Sequence, residues 1–166
     1  MARSYAGAPL RSRVESILLW AVAAVLAGCS SEAPPQDMPP REPPPQEVRI
    51  TGVDYAFAVP DSIGPGRSLL AFENAGAVAH EVALARLVPG STLADVLEAM
   101  EAGRDPEDLV DERIGVLFAA PGQTGAGQLL VDLVSGRTYV VLCFFQDEPD
   151  APPHNTLGMF ASFEVR

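Results

Sequence analysis

Residues 136–166 read GRTYVVLCFFQDEPDAPPHNTLGMFASFEVR, and this stretch decides the fold expected for the rest of the chain. It predicts a β-strand that runs into Cys143, a proline-rich acidic loop that ends at His154, and a second strand that begins at Met159. The thiolate, imidazole and thioether of these residues suit a single soft metal ion. His80, the only other histidine of the chain, is the natural source of a second imidazole. Two imidazoles, a thiolate and a weak axial thioether are the ligand set of electron-transfer copper sites.

The chain outside this stretch shows the pattern of an all-β domain. Short apolar or alternating segments recur between turns that contain Gly or Pro, which is typical of an antiparallel β-sandwich. The predicted strands are residues 48–53, 55–57, 68–73, 80–87, 127–133, 137–145 and 159–165. A short helical insertion around residues 91–113 interrupts them, with apolar residues at helical spacing and with Thr92 and Asp95 as a candidate capping box.

Residues 1–28 are expected to be a lipoprotein signal peptide. A basic start precedes a short apolar core, and residues 26–29 read LAGC, the pattern at which a signal peptidase cuts before a lipidated cysteine. The core is too short for a transmembrane helix; an uncleaved anchor and a chance apolar run are the alternatives. With Cys29 lipidated, the protein is exported to the cell envelope. It is then anchored to the outer membrane or to the outer face of the plasma membrane.

Residues 29–46 are expected to be the lipidated cysteine and a linker, because residues 30–46 contain seven prolines in seventeen residues. The folded domain is then residues 47–166. If Cys29 carries lipid, Cys143 has no intramolecular partner, and a lone thiol in an exported protein is expected to be buried or coordinated. A Cys29–Cys143 disulfide is the alternative, and it contradicts the lipidation pattern.

The chain is acidic and contains no lysine. Its formal net charge at pH 7 is −11, and removal of residues 1–28 leaves eight arginines and 21 acidic residues, or −13. Because nucleic-acid phosphates are bound mainly by Lys and Arg, this charge argues against nucleic acid as a partner. It favours a partner protein with a basic docking face.

From about residue 48 onward the chain resembles the cupredoxins, the plastocyanin and azurin superfamily of blue copper proteins. The fragments that carry the resemblance are FENAG at residues 72–76 leading into His80, YVVLC at residues 139–143, and His154 followed by LGM at residues 157–159. The resemblance implies a Greek-key β-sandwich that holds one mononuclear type 1 copper. The ligands that it implies are His80, Cys143, His154 and, axially, Met159.

The ligand loop departs from the family pattern. Ten residues separate Cys143 from His154, more than in familiar blue copper proteins, whereas the four between His154 and Met159 are ordinary. Loop closure costs grow only logarithmically with length, and Pro152 and Pro153 stiffen the end of the loop. The spacing alone does not decide whether His154 reaches the thiol without metal.

The expected function is single-electron transfer in the cell envelope, with a cytochrome or an oxidase as partner. A copper-binding or copper-delivery protein and a metal-free cupredoxin-fold interaction module are the alternatives. Catalysis is not expected, because no nucleophile signature surrounds Cys143. A zinc site would leave Met159 without a role. The acidic residues 147, 148 and 150 are expected to form a solvated loop that flanks the metal.

Overall fold

The computed structural model describes residues 41–60 and 63–166. The predicted signal peptide, Cys29 and most of the predicted linker lie outside the described residues. The elements of the described part are β1 Gln46–Val53, β2 Ala56–Ala58, β3 Gly66–Asn74, β4 His80–Leu87, α1 Leu93–Glu101, β5 Val110–Ala119, β6 Thr124–Leu133, β7 Thr138–Leu142 and β8 Phe160–Glu164, with short 3-10 helices at Pro106–Leu109 and His154–Leu157. Among these residues, no helix combines the length and hydrophobicity needed to cross a bilayer.

The strands form two four-stranded sheets packed as a sandwich. One sheet has the order β2-β1-β3-β6 and the other the order β5-β4-β7-β8. β1 and β3 are parallel neighbours, and every other pairing of the two sheets is antiparallel. The predicted fold class, an all-β Greek-key sandwich with a short helical insertion, is therefore confirmed.

The main core lies between the sheets because alternate residues of most strands are apolar and point inward. Ile50 of β1, Phe72 of β3, Val82 of β4 and Val141 of β7 are fully buried there. Each side chain of this size stabilises the fold by about 1.5–3 kcal/mol through burial.

The helical insertion covers part of the outer face of the second sheet. α1 begins at the predicted capping box, in which the Thr92 hydroxyl accepts from Asp95 N and the Asp95 carboxylate accepts from Thr92 N. Val96 of α1 packs in a second apolar cluster with Val140 and Leu142 of β7. This second layer explains why consecutive residues of β7 are buried on both faces of the sheet.

β5 is the element that the sequence does not predict. Residues 105–113 are expected to continue the insertion, but only Pro106–Leu109 is helical, and Val110–Ala119 extends along β4 as an edge strand. The pairing of β4 with β5 shifts register at Leu84/Ala85 and at Arg86/Leu87. Because such irregularities reset which face a side chain occupies, the apolar pattern of β5 loses the simple alternation that marks a strand.

Strand register brings three separate segments to one end of the sandwich. His80 opens β4, and Cys143 directly follows the end of β7, which pairs with β4 through Ala83 and Leu142. The parallel register of β1 and β3 pairs Gly52 with Asn74, so the chain leaving β1 lies beside the turn that leads to His80.

Candidate metal centre

His80, Cys143 and His154 form one buried cluster. Their candidate ligand atoms all lie within 4.8 Å of one another, and each residue is fully buried. The two Nδ1 atoms are 3.0 Å apart, and Cys143 Sγ is 3.5 Å from His154 Nδ1. One donor from the start of β4 and two from the ends of the ligand loop therefore lie together.

Two of the three separations, the one between the imidazoles and the one between Cys143 and His154, fit a shared metal ion. Bond lengths of about 2.0–2.1 Å to nitrogen and about 2.3 Å to sulfur, as for zinc, place two nitrogens about 3.1–3.6 Å apart at ligand angles near 100–120°. The same geometry places nitrogen and sulfur about 3.3–3.8 Å apart. The observed distance of 3.0 Å between the two Nδ1 atoms is about 0.1 Å below the first range. The observed 3.5 Å between Cys143 Sγ and His154 Nδ1 lies within the second. Two imidazoles and a thiol in one buried cluster are consistent with one mononuclear type 1 copper.

The ten-residue loop closes onto the cluster through backbone hydrogen bonds. His154 N donates to Phe145 O at 2.9 Å, and Asn155 N donates to Cys143 O at 2.7 Å. Both bonds tie the far end of the loop to the residues at its start. These backbone hydrogen bonds therefore hold the far end of the long loop, and with it His154, next to the thiol.

Met159 is fully buried next to the cluster. Its backbone bridges the two loop ligands, because Met159 N donates to His154 O at 3.0 Å and Cys143 N donates to Met159 O at 3.2 Å. Its methyl group lies beside Gly52 and Phe72, where a Cβ on Gly52 would come within 3.2 Å of Met159 Cε. Ligation by Met159 stays a prediction.

Asp54, which the sequence does not single out, fixes the orientation of His80. Its Oδ1 lies 2.8 Å from His80 Nε2, and the carboxylate also accepts from Ala77 N at 2.9 Å and from Val78 N at 3.4 Å. The Ala77 amide and the His80 imidazole hold the pKa of the Asp54 carboxyl below its usual value. An ionised Asp54 requires the proton of neutral His80 to sit on Nε2, which leaves the Nδ1 lone pair free for a metal.

The turn before His80 is built around two residues of the FENAG fragment. The buried Asn74 amide donates to Val78 O at 2.8 Å and to Ala119 O at 3.0 Å, and its Oδ1 accepts from Gly76 N. A Cβ on Gly76 would meet the Asp54 carboxylate and lie 3.0 Å from His80 Nε2. Glycine is therefore required here for close approach of the backbone.

Tyr55 and Asp147 cover His154. The Tyr55 ring packs edge-on against the His154 ring with centroids 4.7 Å apart, and the Tyr55 hydroxyl donates to Asp147 Oδ2 at 3.1 Å. This hydrogen bond raises the pKa of Tyr55. His154 Nε2 is 3.3 Å from Asp147 Oδ1, but the angles there do not make a hydrogen bond, and this buried nitrogen finds no partner among the described residues. Phe145 packs on the same imidazole at 5.7 Å.

The environment of Cys143 favours the protonated thiol. Burial raises the pKa of the Cys143 thiol, while backbone N–H groups of Glu81 and Phe145 act in the opposite direction. Glu81 N donates to Cys143 Sγ at 3.4 Å. Because a metal ligates the thiolate, metal binding here must release a proton.

The supporting residues could not be read from the sequence because they lie far from the ligands along the chain. Asp54 and Tyr55 reach the cluster only through the parallel register of β1 with β3. The one local signal is their position directly after a predicted strand, which is shared by many surface residues. The expected acidic loop is present, since Asp147, Glu148 and Asp150 are exposed.

No protein-family model matches the chain, and no curated protein matches it. Among solved structures, dithionite-reduced auracyanin from the photosynthetic bacterium Roseiflexus castenholzii is similar at 20% identity, covering 73% of this chain and 97% of that chain with a TM-score of 0.45. Auracyanin A, a blue copper protein from Chloroflexus aurantiacus, is similar at 20% identity over 74% of this chain and 100% of that chain, with a TM-score of 0.43. For auracyanin B the identity is 22%, the coverage 76% and 92%, and the TM-score 0.45.

The strand order and the converging donors of this chain are observed independently of these similarities. The described part of the chain is an all-β Greek-key sandwich whose His-Cys-His cluster is consistent with one mononuclear type 1 copper.

Proposed function

We propose that the protein is a copper-dependent carrier of single electrons, with His80, Cys143 and His154 as equatorial ligands and Met159 as the weak axial ligand. The observation that carries this proposal is the convergence of two Nδ1 atoms and one Sγ, with separations of 3.0 and 3.5 Å, in a fully buried cluster. Copper bound to such a set supplies a one-electron couple with little change in ligand geometry.

The chain's own contacts support a rigid site. Asp54 orients His80, Tyr55 packs on His154, and the two ends of the ligand loop are hydrogen-bonded to each other. Ligands held in this way do not have to rearrange when metal binds, which is the preorganisation that fast electron transfer needs.

Burial favours a carrier over the two alternatives. A copper-delivery protein has to expose its ligands to a partner, whereas all three donors here are fully buried. A metal-free interaction module has no need to bring two imidazoles and a thiol together. The same closure keeps substrates away from the donors, so we propose electron transfer without substrate chemistry.

The proposal places the protein in the cell envelope, anchored through a lipid on Cys29. The lipid-attachment pattern LAGC at residues 26–29 supports this placement. Labelling cells with a fatty-acid analogue tests it, with Cys29→Ser as the control that must lose the label. An unlabelled protein that still carries residues 1–28 would contradict it.

Acidic residues beside the cluster support a redox partner with a basic docking face, such as a cytochrome or an oxidase. Asp147, Glu148 and Asp150 are exposed in the loop that covers His154. Association with such a partner should slow as salt rises, because exposed charges are screened over about 10 Å at 0.1 M ionic strength. Association that is insensitive to salt would argue against an electrostatic docking face.

Reconstitution with Cu(II) tests the electron-transfer proposal. The loaded protein should be intensely coloured through thiolate-to-copper charge transfer and should show a compressed copper hyperfine splitting. Cys143→Ser should abolish the colour, and Cys29→Ser, which removes the other cysteine, should retain it. Met159→Leu should retain the colour and raise the potential, because it removes only a weak axial donor. A colourless Cu(II) complex of the unmodified chain would refute the proposal.

A further inference from the structure

The outer face of the second sheet holds an apolar cavity apart from the His-Cys-His cluster. It measures about 410 Å³ and opens between the helical insertion and the strand ends next to that cluster. Its lining includes Ala83 and Ala85 of β4, Val116 of β5, Met100 of α1 and Phe144 after β7. The volume lies within the range of small-molecule sites, about 300–1,000 Å³.

The cavity exists because small side chains occupy the sheet where the insertion ends. Ala83 pairs with Val116 of β5 on one side and with Leu142 of β7 on the other. Its methyl group therefore forms the floor of the cavity between two larger side chains. Val116 and Phe144 at the rim are 56% and 48% exposed. An exposed apolar rim above a floor of small side chains favours an apolar occupant that can lie over the two alanines.

The polar groups of the lining select the kind of occupant. Glu107 pairs with Arg113 at the insertion side, so these two charges compensate each other. Glu81 at the other end accepts one hydrogen bond, from Phe144 N to Oε1 at 3.0 Å. Its Oε2 is left as an acceptor in the described part of the chain. The excess charge of the lining is therefore negative, which disfavours anionic ligands.

We propose that this cavity binds a small neutral aromatic molecule that carries a hydroxyl group. The ring lies on Ala83 and Ala85 between Val116 and Phe144, and the hydroxyl donates a hydrogen bond to the Glu81 carboxylate. A neutral hydroxyl loses less hydration than an ammonium group on entering an apolar cavity. Glu81 N also donates to Cys143 Sγ, so the site adjoins the cluster, but binding there does not require copper.

Two matched probes test the proposal: 2-naphthol and 2-methoxynaphthalene, which lacks the hydroxyl donor. Fluorescence titration of the full copper-free chain should show that naphthol binds about tenfold more tightly, the difference expected for one hydrogen bond to a charged group. In Glu81→Ala the two probes should bind within about twofold of each other. Glu81→Gln, which keeps an acceptor, should restore part of the preference.

A filling substitution tests the location of the site. Ala83→Leu should weaken both probes by about tenfold or more, because the larger side chain fills the space that the ring would occupy. Ala58→Leu, an equal change at an exposed position of β2 in the other sheet, should leave binding unchanged. In the unmodified chain, naphthol should shift the amide resonances of Ala83, Ala85 and Val116 and leave that of Ala58 in place, a readout that does not depend on how a variant folds.

Equal affinity for the two probes, or binding that is insensitive to Ala83→Leu, would overturn the proposal. Repeating the titration with copper-loaded protein separates it from the electron-transfer proposal. Coloured protein that does not bind naphthol would refute this site alone. Naphthol binding by a protein with a colourless Cu(II) complex would support this site and refute the electron-transfer proposal alone.

Discussion

Replacement of Asp54 by asparagine should weaken copper binding by about tenfold and lower the metal-free stability only modestly. The substitution retains an Oδ1 acceptor for Ala77 N and Val78 N, and it removes the negative charge beside His80 together with the hydrogen bond from Ala77 N to Oδ2. A hydrogen bond to a charged group contributes about 1.5–3 kcal/mol and a neutral one about 0.5–1.5 kcal/mol.

The difference between these two hydrogen bonds, about 1–1.5 kcal/mol, sets the expected magnitude, since 1.4 kcal/mol corresponds to a factor of ten in affinity. Residues that orient a metal ligand change affinity by about 10–100-fold when they are mutated. Because the Asp54 side chain is 32% exposed, water screens its charge, and the lower end of that range applies.

Competition between the protein and a chromophoric chelator for Cu(I) measures this affinity, and urea unfolding of metal-free protein measures stability. Glu73→Gln is the matched control, because Glu73 is a carboxylate of β3 that pairs with Arg49 on the protein surface. The control should stay within about twofold of the unmodified chain. An Asp54→Asn protein with unchanged copper affinity would refute the view that Asp54 positions His80.

Three further predictions concern packing, access and pH. Gly76→Ala should destabilise the metal-free fold by about 1–3 kcal/mol, because the added Cβ meets the Asp54 carboxylate. Gly64→Ala is the control, since only the end of a glutamine side chain lies within 4 Å of a Cβ there. Equal urea midpoints for the two variants would contradict the prediction. Tyr55→Phe keeps the ring over His154 and removes the hydrogen bond to Asp147. Stopped-flow measurements should therefore show copper uptake a few times faster than in the unmodified chain. An unchanged rate would mean that this hydrogen bond does not limit the access of copper to the cluster. Hydrogen bonds from Arg86 and Arg137 lower the pKa of Asp111 from 3.8, so the stability they add is present above that pH and is lost as pH falls through the lower folded-state value. The difference in urea midpoint between the unmodified chain and Asp111→Asn should therefore be greatest near neutral pH and shrink below pH 3.8. A difference that grows in acid would contradict this.

Features with a local physical cause were predictable from the sequence. The predicted strand at residues 80–87 coincides with β4, because a Gly-containing turn precedes it and its apolar residues alternate. The cap of α1 follows from the chemistry of Thr92 and Asp95, three residues apart. The spacing of Cys143 and His154 left open how the loop between them closes, and the structure shows hydrogen bonds between its two ends.

Features that depend on strand pairing were not predictable from the sequence. The β5 strand loses its alternation where its pairing with β4 shifts register. Asp54 and Tyr55 lie 26 positions before His80 and 99 positions before His154, respectively, and only the pairing of β1 with β3 brings them to the cluster. No periodicity or spacing in one sequence encodes that register.

The residues missed by sequence reasoning explain how a long ligand loop is compatible with a closed site. A ten-residue loop held only at its two ends would leave the imidazole of His154 free to swing outward, since lengthening a loop costs little entropy. The Tyr55 ring prevents this from the other sheet by packing on that imidazole, and its hydroxyl holds Asp147 of the same loop. The geometry of the cluster is therefore set as much by the segment after β1 as by the loop that carries the ligand.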